Sequence, residues 1–523
     1  MEMIMARFKQ YDYKQDTMLV INFEEQLQPG TFEYAIHFLI DNKLDLSNFH
    51  PKFKNDKTGR LAYDPAILLK IILFSYSKGI TSSREIEWCC QTNIIFKALS
   101  CDSAPHFTTI ANFVSSRATE IETLFELVLL ICHEQGLLGN ELFAIDGCKK
   151  SSDAAKEWSG TFKELEEKRA KIKRQIQYHL NEHQNFDKNN CQDEERIQRA
   201  EQAIETLNKA ADKIDVFLKS SERRMGEGKR KKEVKSNITD NESAKMTTSK
   251  GTIQGYNGVA TVDKKHQVIV DAQVFGAGQE HHTLKPVLET LKARYKRLNI
   301  SENIYATEVV VTADTGFANE ANMKYLHENK INGFIPDNQF RSRDPKFSDQ
   351  KNKYGKRHQL KSKREPKIIP AAEFNCDPKT KICICPAKEI LPLVDERIDD
   401  SGNYKLFFKG TIESCHNCEL KSRCMKNADA TKAGRGRQVS FIIGDKTKPS
   451  FTDWMKERVD SQEGKLIYSH RMSVVEPVFG NIGTNKGLNR FSLRGKRKVN
   501  GQWKLFCLIQ NIEKLKNYGE LVI

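Results

Sequence analysis

Three acids in this chain stand where they could act on one substrate. Asp146 closes the apolar run FAID, Asp314 closes VVVTAD, and Glu476 lies in YSHRMSVVEPVFG. Carboxylates that end neighbouring strands at one sheet edge can share cations, and an acid from a helix packed on that edge can complete the cage. Magnesium takes hard oxygen ligands and keeps waters or phosphate oxygens in its remaining positions. Two such ions about 4 Å apart can activate an attacking hydroxyl and stabilise the leaving oxygen of an in-line displacement. Taken singly, each acid has a plainer reading. An Asp that ends a strand is commonly a turn former or helix cap, and a Glu on a basic helix is commonly half of a surface ion pair.

Cysteines form the second constellation. The chain has 13, and six of them fall between Cys376 and Cys424. Cys415-x2-Cys418-x5-Cys424, with Cys385 upstream, offers four thiolates, the donor set of a tetrahedral structural zinc site. Cys376 and Cys383 are alternates, and a metal-free module with buried thiols is an equal alternative. A zinc filled by four sulfurs would be structural, and could present Lys421, Arg423, Arg435 and Arg437 to DNA.

The elements that must position these residues change character along the chain. Residues 19–140 carry helical apolar spacing, as in LAYDPAILLKIILFSYSKGI, with Ser82 or Ser83 as the cap of a following helix. This suits either a helix-turn-helix-like DNA-binding unit or a plain helical bundle. ELFAIDGCKK (141–150) reads as a buried strand. Residues 162–225 alternate in charge and are rich in helix formers, which predicts a projecting helical hairpin. From 251 to 337 the pattern predicts two strands about the turn Asp263-Lys264-Lys265, a helix, a strand ending at Asp314, a helix and a short strand. That order suits a mixed α/β layer. Residues 341–367 carry eleven Lys or Arg against three acids, a basic linker or DNA-contacting loop. Residues 452–517 return to helix.

Charge narrows the partners. Lys and Arg number 84 and Asp and Glu 69, a net +15 over 523 residues, with 38% hydrophobic and 29% charged residues. Such an excess favours a polyanion, because neutralising phosphates releases counterions. The N-terminal residues have no apolar signal segment, and the apolar runs are too short to span a bilayer. A cytoplasmic protein with reduced thiols is the expectation.

At the C-terminal end the pattern becomes specific. YSHRMSVVEPVFGNIGTNKGLNRFSLRGKRKVNGQWKLFCLIQNIEKL (468–515) resembles the signature of insertion-sequence DDE transposases, with Tyr468, Arg471 and Glu476 in the family's order. FAIDGCKK, the stretch SNITDNESAKMTTSKGTIQGYNGVATVD, VTADTGFAN and the N-terminal helical segments are similar to the family too. One departure concerns a lysine two helical turns after the Glu, where this chain has Gly483; Lys486 is the nearest substitute. The spacing from Arg471 to Glu476 is also slightly long.

The resemblance implies a mixed α/β chain with an RNase H-like core. A helical N-terminal DNA-binding domain would occupy 1–140. The first part of the core, 141–340, would carry the hairpin insertion 162–225. A basic, Cys-rich insertion would fill 341–450, and C-terminal helices 451–523 would complete the core. Asp146, Asp314 and Glu476 would be catalytic and would hold two Mg²⁺ or Mn²⁺ ions. Tyr468, Arg471, Lys486, Arg490 and Arg494 would contact DNA, Arg471 as a phosphate clamp. The implied reaction frees a 3′-hydroxyl at the element's end and transfers it to target DNA, with a homodimer pairing two ends near the nucleoid. Two other readings remain: an inactive descendant that binds DNA as a repressor, and an RNase H-type nuclease without transposition.

Overall fold

Apolar residues on both sides of a chain segment demand cover on both faces, and the strand FAID receives it. In the computed structural model Leu142, Phe143, Ala144 and Ile145 are all buried, and they open strand β1 (Leu142–Ser151). The structure describes residues 20–53, 61–188, 194–226, 232–249, 251–347, 368–378, 380–398, 404–426, 436–443 and 450–520. Most of the basic stretch 341–367 and Arg435 lie outside these. The chain is a mixed α/β protein. By its contacts it divides into two units, residues 1–312 with 470–523, and residues 313–469.

In the first unit two short strands form one pair, β2 (Ser159–Gly160) with β3 (Ser236–Asn237). The main sheet is built around the 13-residue β5 (Gly251–Asp263), buried from Gln254 onwards. One edge of β5 pairs antiparallel with β1, setting Asp146 opposite Ala260. The other edge takes β4 (Ala244–Thr248) and β6 (Ile269–Phe275). Beyond β1 lies β7 (Val310–Ala313). Val310 N donates to Glu141 O at 2.9 Å, and Thr312 Oγ1 donates to Phe143 O at 3.3 Å. The partner numbers rise together, as they do in parallel strands.

Helix Lys496–Tyr518 is buried nearly all round, from Val499 to Ile512. A helix of that kind belongs inside the protein, and polar side chains lock it to the sheet. Asn511 Oδ1 accepts from Ile269 N at 2.7 Å and Asn511 Nδ2 donates to Ile269 O at 2.8 Å. Trp503 Nε1 donates to Val259 O at 3.1 Å. On the helix's other side a Cβ at Gly501 would stand 3.2 Å from Ala118 Cβ, so the glycine permits close approach of helix Ala118–Glu134. Phe506 stacks on Tyr76 at 5.1 Å between ring centroids, which ties in the N-terminal helix Pro65–Ser77. That helix starts by the expected chemistry: Asp64 accepts from Ala66 N at 2.7 Å ahead of Pro65. Ser82 precedes helix Ser83–Thr92, but its side chain makes no capping bond.

Two 27-residue helices, Phe162–Lys188 and Glu194–Ser220, pack through Phe162, Leu165, Ile172, Ala211, Ile214 and Phe217. Their outward faces carry the alternating charges read from the sequence. No helix among the described residues is long and apolar enough to cross a membrane.

The second unit has its own elements. Helices Glu320–Glu328 and Phe451–Asp460 lie near the short strand β8 (Asn332–Phe334), where Arg458 Nη2 donates to Asn332 Oδ1 at 2.5 Å. Two three-stranded antiparallel sheets follow. One joins β9 (Asn375–Asp377), β10 (Ile382–Ile384) and β11 (Ile390–Leu391); the other joins β12 (Leu393–Ile398), β13 (Tyr404–Lys409) and β14 (Gln438–Ile443). Among the described residues they share a small core whose buried members are Ile369, Phe374, Cys383, Leu391, Leu406, Phe408 and Val439.

Candidate active site

Burial along β1 changes at Asp146. The four residues before it are buried and the six from Asp146 onwards are half-buried, so the strand emerges from the core where its carboxylate sits. Asp146 Oδ1 accepts from Gly147 N at 2.8 Å. Asp146 Oδ2 accepts from Arg471 Nη1 at 3.0 Å, across 325 residues of sequence. Gly147 is required there, because a Cβ would stand 2.8 Å from Asn257 Oδ1 on β5.

Arg471 and Glu476 lie on helix Gln462–Gly480. Arg471 turns inward beside Val474, Val475 and Val478, all buried. The Asp146 side chain keeps 23% of its surface exposed against 9% for Arg471, so the pair is open on the acid's side. Glu476 is exposed and has no ion pair among the described residues. Five residues at 3.6 per turn separate Arg471 and Glu476 by roughly 140° around the helix. Pro477, directly after Glu476, lies inside the helix and removes one intrahelical bond. The helix then widens into a π turn, Asn481–Asn485.

Asp314, described within its own unit, precedes the 3-10 turn Thr315–Phe317, is half-buried and makes no side-chain capping bond. Its backbone carbonyl accepts from Phe317 N at 3.0 Å. The Tyr468 ring meets Phe340 edge-on at 5.4 Å. Among the described residues no group of three or more His, Cys, Asp or Glu side chains could hold a metal ion as it stands.

The three basic residues after the helix have different fates. Arg490 and Arg494 both bind Asp153, just past β1, Arg494 at 2.9 Å, and both side chains stay more than half exposed. Phe491 N donates to Ser151 O at 2.9 Å, which holds this segment against the end of β1. Lys486 departs from its expected role on DNA. Its side chain is 1% exposed and its ammonium donates to Glu513 Oε2 at 2.5 Å. Burial pushes the Lys486 ammonium down from its ordinary value, and Glu513 opposes that shift. Its charge is turned toward Glu513 and away from solvent.

The cation nearest the missing lysine is Lys150. A Cβ on Gly483 would stand 3.3 Å from Lys150 Nζ, and Lys150 has no ion pair among the described residues. The sequence held a signal for it. Asp146 and Lys150 are four apart on one strand, so a period of two puts them on the same face.

Comparison with known families adds two matches. Residues 384–516 match the transposase DDE domain, a stretch that contains Arg471 and Glu476 but neither Asp146 nor Asp314. Residues 21–116, the N-terminal helices, match the transposase domain DUF772. No curated protein matches the chain. Both matches are to transposase domains, on separate stretches of one chain, and they support its likeness to insertion-sequence DDE transposases.

Proposed function

We propose that this protein cuts DNA at the ends of an insertion sequence and joins the freed 3′-hydroxyls to target DNA. Asp146, Asp314 and Glu476 are its acids, on an RNase H-like core, and its DNA partners are the element's ends and the target. The observation that carries the reading is the Asp146–Arg471 contact at 3.0 Å. It joins the strand that carries the first acid to the helix that bears the family's Tyr-Arg-Glu order. Sequence distance on the neighbouring strands also supports it: Asp146 lies three residues past Phe143, and Asp314 two past the Thr312 that bonds Phe143.

Two divalent cations, Mg²⁺ or Mn²⁺, would supply hydroxyl activation and charge neutralisation when held by the three carboxylates. The chain's own residues do the rest. Arg471 orients the Asp146 carboxylate and offsets its charge in the metal-free protein. Arg490 and Arg494, tethered by Asp153 with exposed guanidinium heads, receive phosphates with their planar forks. Lys150 contributes a point charge on the strand face of Asp146. Tyr468 hydrogen-bonds the same DNA backbone. A homodimer that pairs two ends on DNA in the cytoplasm completes the reading.

A second reading, a DNA-binding descendant without catalysis, is favoured by one observation: Gly483 stands where the family has a lysine. One experiment separates them. Duplexes bearing the element's own ends are incubated with the protein in Mg²⁺ or Mn²⁺, with binding followed in parallel by gel shift. Cleavage by the wild type that is abolished in Asp146→Asn, with binding retained, supports the first reading. Full cutting by Asp146→Asn removes that residue from the site. Tight binding with no cutting in either metal establishes the second reading.

A further inference from the structure

The second unit contains a cavity that the proposed reaction does not use. Its volume is about 30 Å³, and its walls include Cys385, Cys415, Cys418 and Cys424. These come from three separate pieces of chain. Cys385 lies in the turn after β10, Cys415 in helix Ile412–His416, and Cys424 in helix Lys421–Cys424, with Cys418 between the helices. All four are half-buried free thiols. The cluster's other two cysteines are elsewhere: Cys376 and Cys383 are cross-strand neighbours in β9 and β10, and Cys383 is fully buried in the small core.

We propose that Cys385, Cys415, Cys418 and Cys424 bind one zinc ion as four thiolates in this cavity. Local backbone is arranged for it. The chain turns at Cys385 so that Glu389 N donates to Cys385 Sγ at 3.4 Å and Lys388 N donates to Cys385 O at 2.8 Å. Lys388 takes a left-handed φ of 65° to close that turn. An amide aimed at sulfur stabilises a thiolate, since hydrogen bonds to the charged form favour it. Gly410 packs closely opposite, where a Cβ would stand 2.6 Å from Cys415 Sγ. Arg437 lines the same cavity and is anchored by a 2.8 Å bond from Nη2 to Ile369 O.

Binding exchanges four S–H protons for one Zn²⁺ and leaves two net negative charges on the site, which Arg437 partly offsets. Among the described residues the four thiols line the cavity without forming a closed ligand set. The energetic need is also visible. Helices of five and four residues have no stability of their own, and the core they adjoin is small enough to call for a staple. A tetrathiolate zinc would join both helices to the β10–β11 turn.

The test uses the full chain, produced with zinc and purified in reductant without chelator. Metal analysis is expected to return one zinc per chain. Cobalt in its place is expected to give the absorption of a tetrahedral thiolate. Cys385→Ser and Cys418→Ser are expected to lose the metal, and Cys376→Ser to keep it. If the first two variants fail to fold, the wild type decides: zinc is expected to shield four thiols from alkylation, and a chelator to expose them and lower the melting temperature. Absence of zinc after incubation with excess ion would overturn the assignment. So would retention of full zinc in Cys418→Ser, or loss of it in Cys376→Ser. None of these readouts depends on DNA cleavage, so the zinc site and the proposed reaction can fail separately.

Discussion

At the scale of single residues, the direction in which a side chain points decides more than its place in the sequence. Lys486 is three residues from Gly483, near enough in sequence to serve as its substitute, yet it points inward to Glu513. Lys150 is more than 300 residues away and lies beside Gly483. This gives paired expectations. Lys486→Ala leaves Glu513, 27% exposed, without its cation, and should cost about 1–3 kcal/mol of stability. Affinity for end-bearing DNA should not change. Lys150→Ala should do the reverse, lowering DNA affinity with little loss of stability. Urea unfolding and gel shift on the two variants measure both effects. A Lys486→Ala protein of full stability and weakened binding would restore the phosphate role to Lys486. The buried strand segment that leads to Asp146 was legible in the sequence from the four apolar residues ahead of it. The contact of Asp146 with Arg471 was not, since no local pattern reports a partner 325 residues away.

At the scale of elements, one buried arginine shows how helices are fixed on the sheet. Arg294, fully buried in helix Leu284–Arg297, bonds Asp271 of β6 and Val270 O, the latter at 3.0 Å. It also reaches Glu122 at 2.7 Å and Glu126 at 3.3 Å on helix Ala118–Glu134. Removing the one cation strands Asp271, whose side chain is 1% exposed. Arg294→Met should therefore destabilise the protein by about 3–5 kcal/mol. Adding Asp271→Leu should recover part of the loss, because the two changes share one interaction. Equal losses for the single and double variants in urea unfolding would show that the pair is not coupled. Most elements here were legible. The apolar run of β1, the charged helical pair after Phe162 and the helix through Trp503 follow from period and composition. Of the neighbours of β5, the hairpin partner β6 follows from the turn Asp263-Lys264-Lys265, but β1 and β4 do not, because a strand buried on both faces looks alike whichever strands flank it. Nor was the all-round burial of Lys496–Tyr518 legible, since the polar Gln502, Gln510 and Asn511 carry no sign of their buried partners in the sequence.

At the scale of the whole molecule, composition speaks where topology is silent. The segment 313–469 interrupts the unit formed by 1–312 and 470–523, and no sequence signal marks where that unit resumes, since the boundary falls inside helix Gln462–Gly480. The net charge of +15, by contrast, needs no fold to be read, and it leads to a measurable outcome. If the excess cations meet DNA phosphates, each neutralised phosphate releases condensed counterions, and the logarithm of the association constant must fall linearly with the logarithm of salt concentration. With six to ten such contacts the loss between 50 and 200 mM salt is about 10³–10⁵-fold. Fluorescence anisotropy with an end-bearing duplex and a scrambled one should show parallel slopes, because phosphate contacts carry no sequence information. Their vertical offset then measures recognition of the end itself. A slope near zero would mean that the basic residues are spent on internal acids, as Lys486 is on Glu513, and that the charge excess has nothing to do with DNA.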